Sequence, residues 1–121
     1  MDLVGPLNSG LVESCLDTAA DRDSKVIVSG TVVAVYVDPN TTCLSSPTIT
    51  VTTKGAPVQT ILAVATDVPG WYYPRNIAHL HTTGAVIAST YSLGIAIHDY
   101  VNVKISDANY GDNVDVWLLV T

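Results

Sequence analysis

Ile95-Ala-Ile-His-Asp-Tyr-Val-Asn-Val-Lys-Ile-Ser-Asp-Ala-Asn-Tyr-Gly-Asp-Asn-Val-Asp-Val-Trp-Leu-Leu-Val120 is the stretch on which the reading of this chain turns. Val101, Val103 and Ile105 alternate with Asn102, Lys104 and Ser106, the period of two that marks a half-buried strand. Asp107 to Asn113 is polar and contains Gly111, which suits a hairpin loop. The returning strand places Val114, Val116, Leu118 and Val120 on one face. Its other face begins polar, with Asn113 and Asp115, and ends apolar, with Trp117 and Leu119. A strand that is apolar on both faces is covered twice, so this one is expected in the middle of a domain or against another chain.

Similar patterns run backward along the chain. Pro47 to Thr53 alternates, with Ile49 and Val51 inward and Thr48, Thr50 and Thr52 outward. Lys25 to Val37 reads as one long strand, or two joined at a bend near Gly30. Val58 to Thr66 is a further strand. Val68-Pro69-Gly70-Trp71 has the residue order of a type II turn. Shorter strands are expected at Gly84 to Ala88 and Gly94 to His98, giving about eight strands at turn spacings of roughly 8–12 residues. The expected fold is therefore all-β: an antiparallel β-sandwich, jelly-roll-like, spanning residues 25–121. Residues 1–24, broken by Gly5, Pro6, Asn8, Ser9 and Gly10, read as an extended N-terminal arm.

Composition narrows the function classes. At 121 residues the chain is one domain with room for a real core. Only 13% of its residues are charged, about half the usual share, so a surface rich in Ser and Thr or one hidden in an assembly is expected. The net charge is −6 with five cations, which argues against nucleic-acid binding. No apolar run approaches the ~20 residues of a membrane span, and no signal peptide is read after Met1. Cys15 and Cys43 fit no metal spacing and are expected as free thiols.

Chemistry-bearing motifs are sparse. His79, His81 and His98 with Asp99 form one conceivable metal set, against the simpler reading of surface imidazoles. Asp107 to Asp112 begins like a calcium loop but has Leu118 where a bidentate Glu belongs. There is no G-x-S-x-G elbow, no phosphate loop and a single Glu, so neither an enzyme nor a cofactor is expected. Trp71, Tyr72, Tyr73 and Arg75 are the densest aromatic group in a chain without Phe. Trp, Tyr and Arg dominate protein-interface hot spots, and the same rings could stack on sugars or cap the core. These four with Trp117 and Leu119 are the expected interface residues.

From Ser24 onward the chain resembles a group of small all-β proteins encoded beside the head genes of tailed bacteriophages. The resemblance rests on Val28 to Asp38, Gln59 to Leu62, Gly70 to Arg75, His98 to Ile105 and Gly111 to Leu119. It implies a virion structural role, a cement or decoration protein of the head. Its partners would be the major capsid protein and copies of itself, in a homo-oligomer made in the host cytoplasm. It supplies no catalytic residues and no cofactor. A head–tail neck protein, a carbohydrate-binding module on a virion surface and a small metal-dependent hydrolase are the alternatives.

Overall fold

The computed structural model describes residues 1–13, 18–40, 46–79 and 86–121, with side chains described outside 75–93. Cys15, Cys43 and His81 lie outside the described residues. The described residues form eleven strands: β1 (Asp2–Asn8), β2 (Ala20–Asp23), β3 (Val28–Asn40), β4 (Thr48–Thr53), β5 (Thr60–Ala65), β6 (Gly70–Tyr72), β7 (Arg75–His79), β8 (Val86–Leu93), β9 (Ile95–Asp99), β10 (Val101–Ser106) and β11 (Asn113–Val120). All their pairings are antiparallel.

One sheet runs β1-β11-β3-β6 and the other β2-β10-β4-β5, while β9 also pairs with β3. Tyr36 of β3 pairs with Trp117 on one side and Trp71 on the other. Val32 pairs likewise with Val120 and with Ile95. β6 and β9 therefore lie in line along one edge of β3 and act as two halves of one strand. Between them the chain leaves the sheet as the β7–β8 hairpin, closed at its base by Gly94 N–H donating to the Pro74 carbonyl at 3.1 Å. Counting β6 and β9 once and setting the hairpin aside leaves eight strand positions in two four-stranded sheets. The order, with the first and last strands adjacent in one sheet and each sheet interleaving early and late strands, is that of a jelly roll.

The core lies between the sheets. Val114, Val116, Leu118 and Val120 of β11 face Val101, Val103 and Ile105 of β10 and Ile49 and Val51 of β4 across it, all buried. Val28, Val32, Val35 and Val37 of β3 and Ile95 and Ile97 of β9 complete it. Burial of each such side chain contributes roughly 1.5–3 kcal/mol, and β-branched residues suit the pleat that holds them. The inward positions of β3 change parity, from Val28 and Val32 to Val35 and Val37. The register with β11 slips at the same place, from Leu119↔Ala34 to Val120↔Val32. A β-bulge therefore sits at Val33–Ala34, not at Gly30, and the strand runs through Gly30 unbroken.

Three expectations need correction. β10 and β11 do not form a hairpin: β10 belongs to one sheet and β11 to the other, and the loop 107–112 crosses between them. Six residues reach about 20 Å, ample for sheets roughly 10 Å apart. Residues 1–24 are not a detached arm, because β1 pairs along β11 and β2 along β10 as edge strands of the two sheets. Gly70 opens β6 opposite Val37 and lacks the positive φ of a type II turn.

The crossover loop is braced from within. Asp112 is fully buried, and its carboxylate accepts the Asn109 N–H at 2.8 Å. Asp107 adopts φ 53° and accepts a hydrogen bond from Thr48 Oγ1 at 3.4 Å. The Asp112 carbonyl also accepts the Val12 N–H at 3.0 Å, which ties the loop to the segment after β1. Asp112→Ala is expected to cost about 1–3 kcal/mol in urea unfolding, since it removes the buried acceptor of the Asn109 N–H.

On the outside of the second sheet, Asp23 accepts Asn102 Nδ2 at 2.8 Å and lies 3.4 Å from Lys54 Nζ. The Asn102 hydrogen bond, with a smaller contribution from Lys54, holds its carboxyl below the ordinary aspartate range, opposed in part by desolvation. A carboxylate with a depressed folded pKa stabilises the fold above its unfolded pKa and loses that contribution as pH falls through the folded value. The Asp23 midpoint, followed by NMR, is expected below the usual aspartate value and should rise in Asn102→Ala. An unchanged midpoint would remove Asn102 as the cause.

Candidate interaction surface

Strand alternation gives the β1-β11-β3-β6 sheet an outer face with two chemistries. On β11, Asn113, Asp115, Trp117 and Leu119 point outward, and on β3 the matching positions are Tyr36, Asp38 and Asn40. At one end Asn8 Nδ2 donates to Asn113 Oδ1 at 3.0 Å and to Asp115 Oδ1 at 2.8 Å. Asn40 Nδ2 donates to the same two residues, at 3.2 Å and 3.1 Å. This polar half is thus stitched across β1, β11 and β3.

The other half is aromatic and apolar. Tyr36 stands between Trp71 and Trp117, with ring centroids 5.1 Å and 5.6 Å away and planes tilted by 58° and 60°. Tilted packing at these separations is the favoured aromatic geometry. Leu3, on the edge strand β1, borders Trp117. Leu3, Tyr36, Trp71 and Trp117 line a shallow depression of about 320 Å³. Leu3 is 58% exposed and Trp71 46%, so the stripe is left open to solvent by the chain itself. Tyr73, just past β6, is 64% exposed.

The expected interface residues divide accordingly. Trp71 and Trp117 meet across Tyr36, and Leu119 lies on the same outer face, half-buried opposite Leu3 and Ala34. Tyr72 pairs with Val35 and packs on the core, so the structure gives it an interior role. Arg75 opens β7, where only the backbone is described. Tyr36 and Leu3 were not anticipated. Tyr36 lies inside a run that reads as continuously apolar, and Leu3 in a segment that reads as an arm. Only the strand pairing brings either beside the tryptophans.

The other candidate chemistries are placed as follows. His98 Nδ1 is 3.0 Å from Ser29 Oγ on the adjacent strand. Asp99 instead accepts the backbone N–H groups of Gly55 and Tyr100, so these three residues do not form a hydrolytic relay. His79 lies on β7, whose side chains are not described. Among the described residues no three His, Cys, Asp or Glu side chains converge on a metal position. The outer face of the first sheet thus sets rings that can stack or be buried beside amides and carboxylates that can hydrogen-bond. Compared with known proteins, the chain matches no family model, no curated protein and no solved structure.

Proposed function

We propose that this chain is a structural protein of a tailed-phage head, a cement or decoration protein that binds the shell through the outer face of its first sheet. The observation that carries the reading is the open stripe of Leu3, Tyr36, Trp71 and Trp117 on a jelly-roll sheet. A contiguous exposed apolar stripe rimmed by polar groups is characteristic of a protein-contact site. Trp and Tyr are the residues on which such contacts concentrate their energy. The jelly roll is a fold used in viral shells, which supports the reading by analogy. So does the resemblance to small proteins encoded beside phage head genes. Asp38 and Asp115 beside the rings favour a partner that presents basic or amide groups there. The decisive measurement is occupancy: heads lacking the protein are incubated with wild-type chain and with stripe variants, and bound copies are counted after sedimentation.

A second reading has its own observation. Rings set beside Asn40, Asn113 and Asp115 on one flat face also form the arrangement that stacks on and hydrogen-bonds a sugar. A glycan array separates the two. Glycan binding by a chain that leaves heads unoccupied would favour the carbohydrate module.

A further inference from the structure

Charge is divided unequally between the two sheets. The strands of the first, β1, β3, β6, β9 and β11, carry Asp2, Asp38, Asp99 and Asp115 and no Lys or Arg. Arg22 and Lys104 stand on the second sheet, and Lys54 follows β4. Two carboxylates of the first sheet meet. Asp38 of β3 and Asp115 of β11 are direct cross-strand partners, both half-buried on the outer face. Side chains so paired stand about 4.5–5.5 Å apart at Cβ, where like charges repel. Each oxygen of Asp115 accepts one amide N–H, from Asn8 and from Asn40. Asp38 has no hydrogen-bond or ion-pair partner among the described residues. The one ion pair among those residues joins Lys54 to Asp23, on the other sheet.

The aromatic depression lies directly beside this pair. Tyr36 and Trp117 are cross-strand partners on the same face, two residues along each strand. That step is about 7 Å, a separation that an extended arginine side chain spans. Trp71 packs against Tyr36 from the next strand, and Leu3 closes the far side. The result is an apolar trough that ends on two carboxylates, with no cation of the described chain to neutralise them.

We infer that the occupant of this trough is an arginine side chain of the partner protein, its stem on the rings and its guanidinium on Asp38 and Asp115. This rests on the reading of the stripe as the contact face, and adds what the partner presents to it. Charge complementarity selects a cation. Arginine suits the site better than lysine. Its flat guanidinium stacks on aromatic faces, and its fork of N–H donors serves two carboxylates at once. The methylene stem covers apolar surface while the charged head stays with the carboxylates. In the free protein the carboxylate pair is a source of repulsion, and the bound arginine removes it. Asp38 therefore acts for binding and against stability.

The test needs no phage heads. NMR of the full chain follows the indole N–H signals of its two tryptophans, Trp71 and Trp117. A blocked peptide with one arginine among glycines is added up to about 20 mM. Both indoles and the amides of Asp38 and Asp115 are expected to shift. The same peptide with citrulline, a neutral isostere of arginine, should bind about threefold or more weakly, with a lysine peptide in between. Asp38→Asn should weaken the arginine peptide by about threefold or more and raise the urea midpoint of the free chain, because it relieves the like-charge pair. Glu13→Gln makes the same change in net charge at an exposed position beside β2, and should do neither. No response to the arginine peptide, an equal response to citrulline or shifts that bypass the indoles would each overturn the inference. So would an Asp38→Asn variant that binds like the wild type or unfolds at lower urea. Head occupancy is scored separately. A wild type that fills heads but fails the peptide test keeps the shell reading and loses the arginine. One that selects the arginine peptide but leaves heads bare does the reverse.

Discussion

Trp71→Ala is expected to weaken shell binding by about thirtyfold or more, corresponding to roughly 2 kcal/mol at a hot-spot aromatic. The reason lies in how the ring is held. Trp71 is on a three-residue strand, packed on one side against Tyr36 and 46% exposed on the other. Because it projects from the sheet, truncating it removes contact surface without opening the core, and the melting temperature should fall only slightly. Tyr73→Ala, at an even more exposed ring, should weaken binding with no change in melting. Trp117→Ala is the harder variant to interpret. Its ring lies against the backbone of Gly5 as well as Tyr36, so losing it also loosens β1. Tyr110→Ala is the control: it is as exposed as Tyr73, at 64%, but sits on the crossover loop. Full head occupancy by both the Trp71 and Tyr73 variants would place the contact elsewhere on the molecule.

Gly30→Ala is expected to destabilise the fold by about 3 kcal/mol, combining backbone strain with a steric clash. Gly30 has φ 131°, which side-chain-bearing residues rarely adopt, and it pairs with Ile97 in mid-strand. A Cβ there would lie 2.5 Å from the Thr121 carbonyl oxygen and 2.6 Å from Val120 Cγ1. That carbonyl is engaged as acceptor of the Thr31 N–H at 3.2 Å, so moving it away costs the bond that ties the last residue to β3. Gly111 separates the two contributions. Its φ is 85°, but a Cβ there would meet nothing within 4 Å. Gly111→Ala should therefore cost only the conformational part, about 1 kcal/mol. Urea midpoints of the two variants, measured side by side, test this. Equal costs would show that the close approach to Thr121 is relieved by a small shift of the chain end.

Period two was enough to assign faces wherever the alternation was clean. Ile49 and Val51 are inward with Thr48, Thr50 and Thr52 outward, and Val101, Val103 and Ile105 are inward on β10. The same holds for Val114 to Val120 on β11, and Trp117 and Leu119 were correctly set on its second face. These are local properties: successive side chains of an extended backbone must point to opposite sides, whatever the neighbours are. Composition agrees with an all-β fold, because Val and Thr are abundant and Glu is nearly absent.

Alternation says which way a side chain points but not which strand lies beside it. The loop from Asp107 to Asp112 would serve a hairpin or a crossing between sheets, and only the competition among all strands for partners made it a crossing. The same competition drew the first residues into the sandwich. Leu3 gains a place beside β11 only because β11 presents an open edge to it. Tyr72 was grouped with Trp71 and Tyr73 by sequence, yet adjacent strand residues face opposite ways, so pairing with Val35 sends it to the core. Tyr36 became the centre of the aromatic stripe because β6 and β11 dock on either side of it. The sequence by itself determined the strand class and the inward faces, since both follow from sterics within a few residues. The tertiary structure decided the neighbours, the crossover and the composition of the exposed stripe, because those depend on backbone hydrogen bonds between segments up to the full length of the chain apart.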